Sequence, residues 1–219
     1  MNWTEYFDKK TSPWKLPTLA EWDTMTKELD VAAEYWASHR SEFNGIIRLY
    51  ARFTLPGGIL FGSLFSRARG AMIEVSQGEQ IWSTSRNDPA YQVSTQRLMG
   101  NNLHSKRAVV VLSVTQNIET SVYSYLNQTE TSFKLLINVI PSSGAGQQSI
   151  ENAEQAVTYA MEVKNLMVDL KANGIEEIQL YLNCPLGVAV FVGHYLSSIG
   201  PIQVFDYLQP GYTASCLIG

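Results

Sequence analysis

With 219 residues, 45% of them hydrophobic, the chain has enough apolar material for the core of one large domain or two small ones. Its 16 Lys and Arg against 20 Asp and Glu give a net charge of −4 and no long basic block, which argues against nonspecific binding to duplex nucleic acid. A compact ligand with a few phosphates stays compatible, because backbone amides hold phosphate without a positive surface.

The first residues, MNWTEYFDKK, contain no apolar segment of the signal-peptide kind. Residues 1–43 read as an arm that docks by its aromatics Trp3, Trp14 and Trp22, with a short amphipathic helix from Thr24 to Phe43. IIRLYAR, Ile46 to Arg52, is the first strand, FTLPGG is a break, and ILFGSLFSRA is a helix ended by Gly70. AMIEVS is the next strand, returning through SQGEQ to a short IW strand. Residues 84–104 are polar and weakly patterned, a long loop or cover. RAVVVLSVT, Arg107 to Thr115, is a buried parallel strand, and Asn117 with Glu119 starts the helix IETSVYSYLNQT. SFKLLINVI is a strand, and Ile150 to Ala172 is the longest helix, stopped at ANG. EIQLYLNCPLGVAVFVGHYLSSIGPIQVFDY then gives strand, polar corner, apolar helix and strand, and YTASCLI is the last strand. This alternation predicts a layered α/β fold, with ligand-binding loops at the strand ends.

No apolar stretch reaches the about 20 residues of a membrane span, so the expected location is the cytoplasm, with no membrane contact. Two cysteines, Cys184 and Cys216, are too few for a disulfide scaffold and fit a reducing compartment.

Two segments align loosely. Gly62-Ser63-Leu64-Phe65-Ser66, Gly70 and AMIEV lie beside Gly193-His194-Tyr195-Leu196-Ser197, Gly200 and PIQVF. The helical glycines predict close helix–sheet approach, and the repeat predicts two Rossmann-like halves whose strand-end loops meet over one site.

At the second corner, Pro185 suits the first helical position, where its missing amide is no loss. The amides of Leu186 and Gly187 then face a phosphate, while Asn183 and Cys184 form the corner beside a base or sugar. Ordinary capping by Asn183 competes with that reading. Leu55, Gly57 and Gly58 serve the first corner, next to Phe53 and to Arg52 as a phosphate partner; a strand-end salt bridge is the alternative for Arg52. Trp82 either stacks on a purine or packs as a lid. Ser113 and Thr115 line the end of the central strand, and Tyr207 and Tyr212 cover the same ligand. Arg67, Arg69, Lys106 and Arg107 read mainly as helix-end or surface charge. Cys184 and His194 stand about 15 Å apart on a regular helix and make no nucleophile–base pair. Histidines and cysteines show no zinc spacing, and no complete Gly-rich or Walker motif follows a strand, so no catalytic or metal residue is assigned.

RLYARFTLPGGILFGSLFSRARGAMIEVSQGEQIW and IQLYLNCPLGVAVFVGHYLSSIGPIQVFDY together resemble a SAVED domain, the cyclic-oligonucleotide sensor of antiphage CBASS and type III CRISPR systems. The second segment matches the family pattern at Asn183, Pro185, Gly193, Asp206 and Tyr207, and FTLPGG departs from it by lacking an Arg-containing corner. The resemblance covers residues 44–219 and implies two fused CARF-like halves, about 44–104 and 105–219, with mainly parallel sheets and flanking helices. It implies a non-enzymatic receptor for a cyclic oligoadenylate, foremost the trinucleotide, that needs no cofactor. Such receptors signal to an attached or separate nuclease, TIR or protease effector, some through head-to-tail self-assembly. A ring nuclease and a structural subunit with a degenerate pocket are the alternatives.

Overall fold

The computed structural model describes residues 3–7, 15–42, 44–50, 54–197 and 199–219. Helix α1 spans Leu19–Ser38, earlier than the sequence suggests. A capping box sets its start: the Glu21 amide donates to Thr18 Oγ1 and the Thr18 amide to Glu21 Oε2. Trp22, Met25, Leu29, Ala33 and Trp36 form its buried stripe, which packs on α2 (Leu55–Leu64) and β9 (Gly211–Ile218). The Trp3 indole donates to Glu28 at 2.8 Å, tying the first described segment to this helix; Trp14 lies outside the described residues.

Strands β1 (Ile46–Leu49), β2 (Met72–Gln77) and β3 (Gln80–Ser83) make a small sheet, with β1 parallel and β3 antiparallel to β2. The larger sheet has the order β4-β6-β5-β7-β8-β9. Its inner strands β6 (Leu135–Pro141), β5 (Arg107–Ser113), β7 (Glu177–Asn183) and β8 (Ile202–Leu208) are parallel. The nearly unbroken apolar runs of β5 and β6 follow from burial on both faces. Helix α3 (Glu119–Gln128) covers one face over Val109, Val111 and Leu136; α4 (Ala153–Ala172) and α5 (Leu186–Tyr195) lie on the other. The α/β expectation therefore holds.

The polar stretch expected as loop or cover contains strand β4 (Val93–Met99), paired antiparallel with β6. As an edge strand it is exposed at every position after Val93, so it carries no apolar alternation to betray it. Among the described residues no helix is long and apolar enough to cross a membrane.

The loose repeat has a definite geometry. Ile46, Leu55, Met72 and Gln80 open β1, α2, β2 and β3; a constant step of 131 residues, as from 55 to 186, leads to Glu177, Leu186, Gln203 and Gly211. These open β7, α5 and β9, with Gln203 the second residue of β8. The hairpins share one register: Val75 faces Trp82 as Asp206 faces Thr213, and Gln77 faces Gln80 as Leu208 faces Gly211. Helices α2 and α5 cross in reciprocal contact. A Cβ on Gly62 would lie 2.1 Å from Val190 O, and one on Gly193 would lie 2.1 Å from Ile59 O. The glycines thus serve helix–helix rather than the expected helix–sheet approach, and both helices are apolar all round because they are buried all round.

Gly193→Ala brings a methyl group against backbone that has no rotamer to yield. Its small gain in helix propensity is outweighed by overpacking of about 1–3 kcal/mol. Urea unfolding should show a net loss of that order; a variant as stable as the parent would refute the crossing.

Candidate functional site

The second corner begins where β7 ends. Pro185 takes the N-cap position (φ −59°, ψ 150°), one residue before the helical start expected for it. Its carbonyl accepts the Ala189 amide at 3.2 Å. The Gly187 amide, expected to face a phosphate, donates instead to Gln77 Oε1 at 3.0 Å. The reason lies in the β2–β3 hairpin, which folds over the start of α5. It also brings Trp82, whose indole would lie 2.8 Å from a Cβ on Gly187. Trp82 is 5% exposed and its Nε1–H donates to Gln80. The packing arrangement is the one present, with no open indole face for a stacked base.

The first corner is helical where a glycine loop was expected. Thr54 caps α2, Leu55 is its first residue, and Pro56 sits in the opening turn, where no amide is required. Gly57 donates to Thr54 Oγ1 at 3.4 Å and Gly58 to Thr54 O at 3.0 Å. Both glycines are buried with their amides occupied, so neither presents a free phosphate donor; Leu55 is half-buried. The two helix starts adjoin: a Cβ on Gly58 would lie 2.9 Å from Leu186 Cδ1. Arg52 and Phe53 fall outside the described residues.

Strands β5 and β7 converge beside these starts. The amides of Val114 and Thr115 donate to Asn183 O at 3.0 and 3.1 Å, and Thr115 Oγ1 donates to Asn183 Oδ1. Ser113 does not join them. Its fully buried hydroxyl donates to Asn138 Oδ1 at 2.7 Å instead of lining an open pocket. The Asn138 amide in turn donates to Asn117 Oδ1 and Glu119 Oε2. Tyr207 is exposed and packs edge-on against Tyr212, next to Phe205 and Tyr181 on the α3 face of the sheet. Asp206, one residue earlier, points to the opposite face, where burial pushes its carboxyl up to about 6.

The corners therefore bring together Gly58, Leu186, Gly187 and Trp82, with Thr115 and Asn183 one strand end away. Cys184 contributes only backbone, since its side chain is buried, and Ser113 and Tyr207 lie on the other side of the sheet. Sequence reasoning passes over Gln77, Thr54 and Asn138. Only Asn138 has a sequence signal, a lone amide in the apolar run LLINVI.

Both cysteines are free, and burial pushes each thiol up to about 12, which suits no nucleophile. Cys216 Sγ donates to Pro56 O across the α2–β9 contact. His194 is buried and its Nδ1–H donates to Phe65 O at 2.8 Å; desolvation, with help from Arg67, pushes it down to about 4. Arg67 donates to the Tyr195 hydroxyl, Arg69 pairs with Asp30, and Lys106 and Arg107 pair with Glu176 and Glu177. No cluster of three metal-ligating side chains occurs among the described residues. One surface cleft lies at the opposite strand ends, between Arg107, Glu177 and Gln203, and another beside the end of β6, between Asn117, Gln96 and Ser142.

The paired helix starts, the constant step and the shared hairpin register are the frame of a duplicated β-α-β-β unit. A family model described as "SMODS-associated and fused to various effectors sensor domain" (SAVED) matches residues 31–218. The chain belongs to the SAVED family. This SAVED chain is similar to CD-NTase-associated protein 4 of Enterobacter hormaechei, at 24% identity over 74% of this chain and 33% of the relative. It is similar to the protein of the same name from Moraxella osloensis, at 20% identity over 89% of this chain and 40% of the relative. It therefore spans less than half of each. Among solved structures it resembles the Acinetobacter baumannii Cap4 SAVED/CARF-domain containing receptor with the cyclic trinucleotide 3′3′3′-cAAA. The TM-score is 0.78 at 18% identity, covering 91% of this chain and 44% of that one. The receptor with 2′3′3′-cAAA matches equally, and at this identity both matches establish the fold.

His194 and Asp206 titrate with opposite effects on stability. Unfolded His194 binds a proton near 6.5 and the folded side chain only near 4, so its contribution is complete above pH 6.5 and lost as pH falls toward 4. Folded Asp206 keeps its proton to about 6 against 3.8 unfolded, so its contribution is complete at low pH and lost as pH rises through 6. The two largely cancel between pH 4 and 6. Asp206→Asn removes one side of this balance. In urea titrations the variant should lose about 2 kcal/mol more than the parent between pH 6 and pH 4. Parallel stability curves for the two chains would contradict the burial of Asp206.

Proposed function

We propose that this chain is a receptor for a cyclic oligonucleotide, cyclic tri-adenylate foremost, that passes occupancy to an attached or separate antiviral effector. One observation carries the reading: two repeats of one β-α-β-β unit bring their helix starts together beside the ends of β5 and β7. A ring of repeated nucleotides is the ligand class that such a duplicated frame suits. The name of the Acinetobacter receptor, solved with a cyclic trinucleotide on this fold, adds support.

In this reading Thr115 and Asn183 exchange their mutual hydrogen bond for bonds to the ligand, and Arg52 and Phe53, outside the described residues, are expected as further contacts. The Gly187 amide becomes a phosphate donor once Gln77 turns away, and the same movement of the hairpin uncovers Trp82. Leu55, Pro185 and Leu186 form the apolar floor, and Tyr207 reaches the ring from the last residues of β8. Because α2 and α5 touch backbone to backbone, a shift of one hairpin is felt by the other repeat. Signalling requires an effector, or a second copy stacked head to tail, to prefer that shifted state. In this reading the ligand is held rather than cut.

Calorimetric titration with 3′3′3′ cyclic tri-adenylate, followed by chromatography of the recovered ligand, tests this directly. Saturable binding and intact ligand are expected, and Asn183→Ala should weaken binding about tenfold. No binding of cyclic di-, tri- or tetra-adenylate sinks the receptor; linear product in the recovered fraction makes the protein a ring nuclease instead. Light scattering at saturation reports the stacking.

A further inference from the structure

The cleft beside the end of β6 has features that a simple surface dip lacks. Asn138 is fully buried in the middle of an apolar strand, a costly place for an amide unless every polar atom is satisfied. Its partners are Ser113, Asn117 and Glu119, so the network ends at the cleft in the Asn117 side chain. Asn117 Oδ1 accepts from two N–H donors, Asn138 Nδ2 at 3.1 Å and the Glu119 amide at 3.0 Å. That fixes which end of the amide is which and makes the Nδ2 group, with two hydrogens, the end left for a partner at this exposed residue. Gln96, which faces Asn138 across the β4–β6 ladder, lines the same cleft with a second, rotatable amide. Ile140, Pro141 and Ala145 supply apolar walls around a volume of about 330 Å³. That is the lower end of the small-ligand range.

The geometry points to a nucleobase subsite here: Asn117 donates from Nδ2 to a ring-nitrogen acceptor of one base of the ligand, and Gln96 accepts from its exocyclic amine. This inference rests on the receptor reading above and deepens it by assigning the part of the site that reads a base. Among the described residues lining the cleft none is Lys or Arg, and the Glu119 carboxylate lies next to Asn117, so a phosphate is disfavoured and a neutral flat heterocycle is favoured. The loop that walls the cleft at Gly144 and Ala145 is tied at Gly146 and Ser149 to the residue that follows β5. Val114 O accepts from the Gly146 amide and Ser149 Oγ, both at 2.8 Å, while the Val114 and Thr115 amides bond Asn183. In this reading a base in the cleft and phosphates near Asn183 belong to one ring.

Asn117→Asp separates this role from a structural one. The aspartate keeps an oxygen for the Asn138 and Glu119 N–H donors, but presents an acceptor where the base requires a donor. Calorimetry on the full chain compares cyclic tri-adenylate with rings carrying 1-deaza- or 7-deazaadenine, with circular dichroism melting as the folding control. The parent should lose about three- to tenfold in affinity for one of the two deaza rings. Asn117→Asp should bind the natural ring about ten- to a hundredfold more weakly, with melting unchanged, and should no longer distinguish that deaza ring. Gln96→Ala, an exposed strand position, provides a second reading with an expected loss of about three- to tenfold. If the parent binds the ring while both variants bind it within twofold and neither deaza ring is disfavoured, the base subsite is wrong and the receptor stands. If the parent binds no cyclic adenylate, both fall.

Discussion

The contact on which the rest depends is the crossing of α2 and α5, where Gly62 and Gly193 let two backbones meet without side chains between them. Each helix packs on a different sheet, α2 on β8 and β9 and α5 on β2, so the crossing holds the two repeats as one body. Each helix start is also overlain by the other repeat: the β2–β3 hairpin reaches Gly187, and β9 reaches Pro56 through Cys216. Close-packed interiors transmit displacement instead of absorbing it. A ligand that moves either hairpin therefore acts on a rigid pair.

The halves are related but unequal. Between them the chain inserts β4, β5, α3, β6 and α4, and these build the second half into a six-stranded sheet while the first keeps three strands. The inserted segment carries the Ser113–Asn138–Asn117–Glu119 network. A buried polar chain of this kind is tolerable only when each member is satisfied, and satisfaction fixes its orientation. The same constraint that makes the network affordable aims Asn117 outward.

Much of the fold was legible from pattern. The apolar runs of β5, β6 and β7 and the strand–helix–strand order of residues 177–207 follow from burial on both sheet faces. Even the faint glycine alignment named the pair that meets in space. What was illegible depends on partners distant in sequence. VSTQRLM looks like loop because its pairing with β6 uses backbone and its side chains stay in water. PGG looks like an exposed turn because nothing local says that Thr54 caps a helix that then sinks into the core. The candidate site fared similarly: Asn183 and Thr115 were readable as strand-end polar residues, whereas Gln77 lies 110 residues from the amide it occupies.

The two sealed thiols give the molecule an internal clock. With each held up to about 12, almost no thiolate exists at neutral pH in the closed fold, and neither sulfur meets solvent. Alkylation must then wait for local opening, and at Cys216 the opening that counts is the parting of α2 from β9. The rate at which an ordinary maleimide modifies this otherwise unreactive protein would measure, without any added label, how often the two repeats loosen their grip.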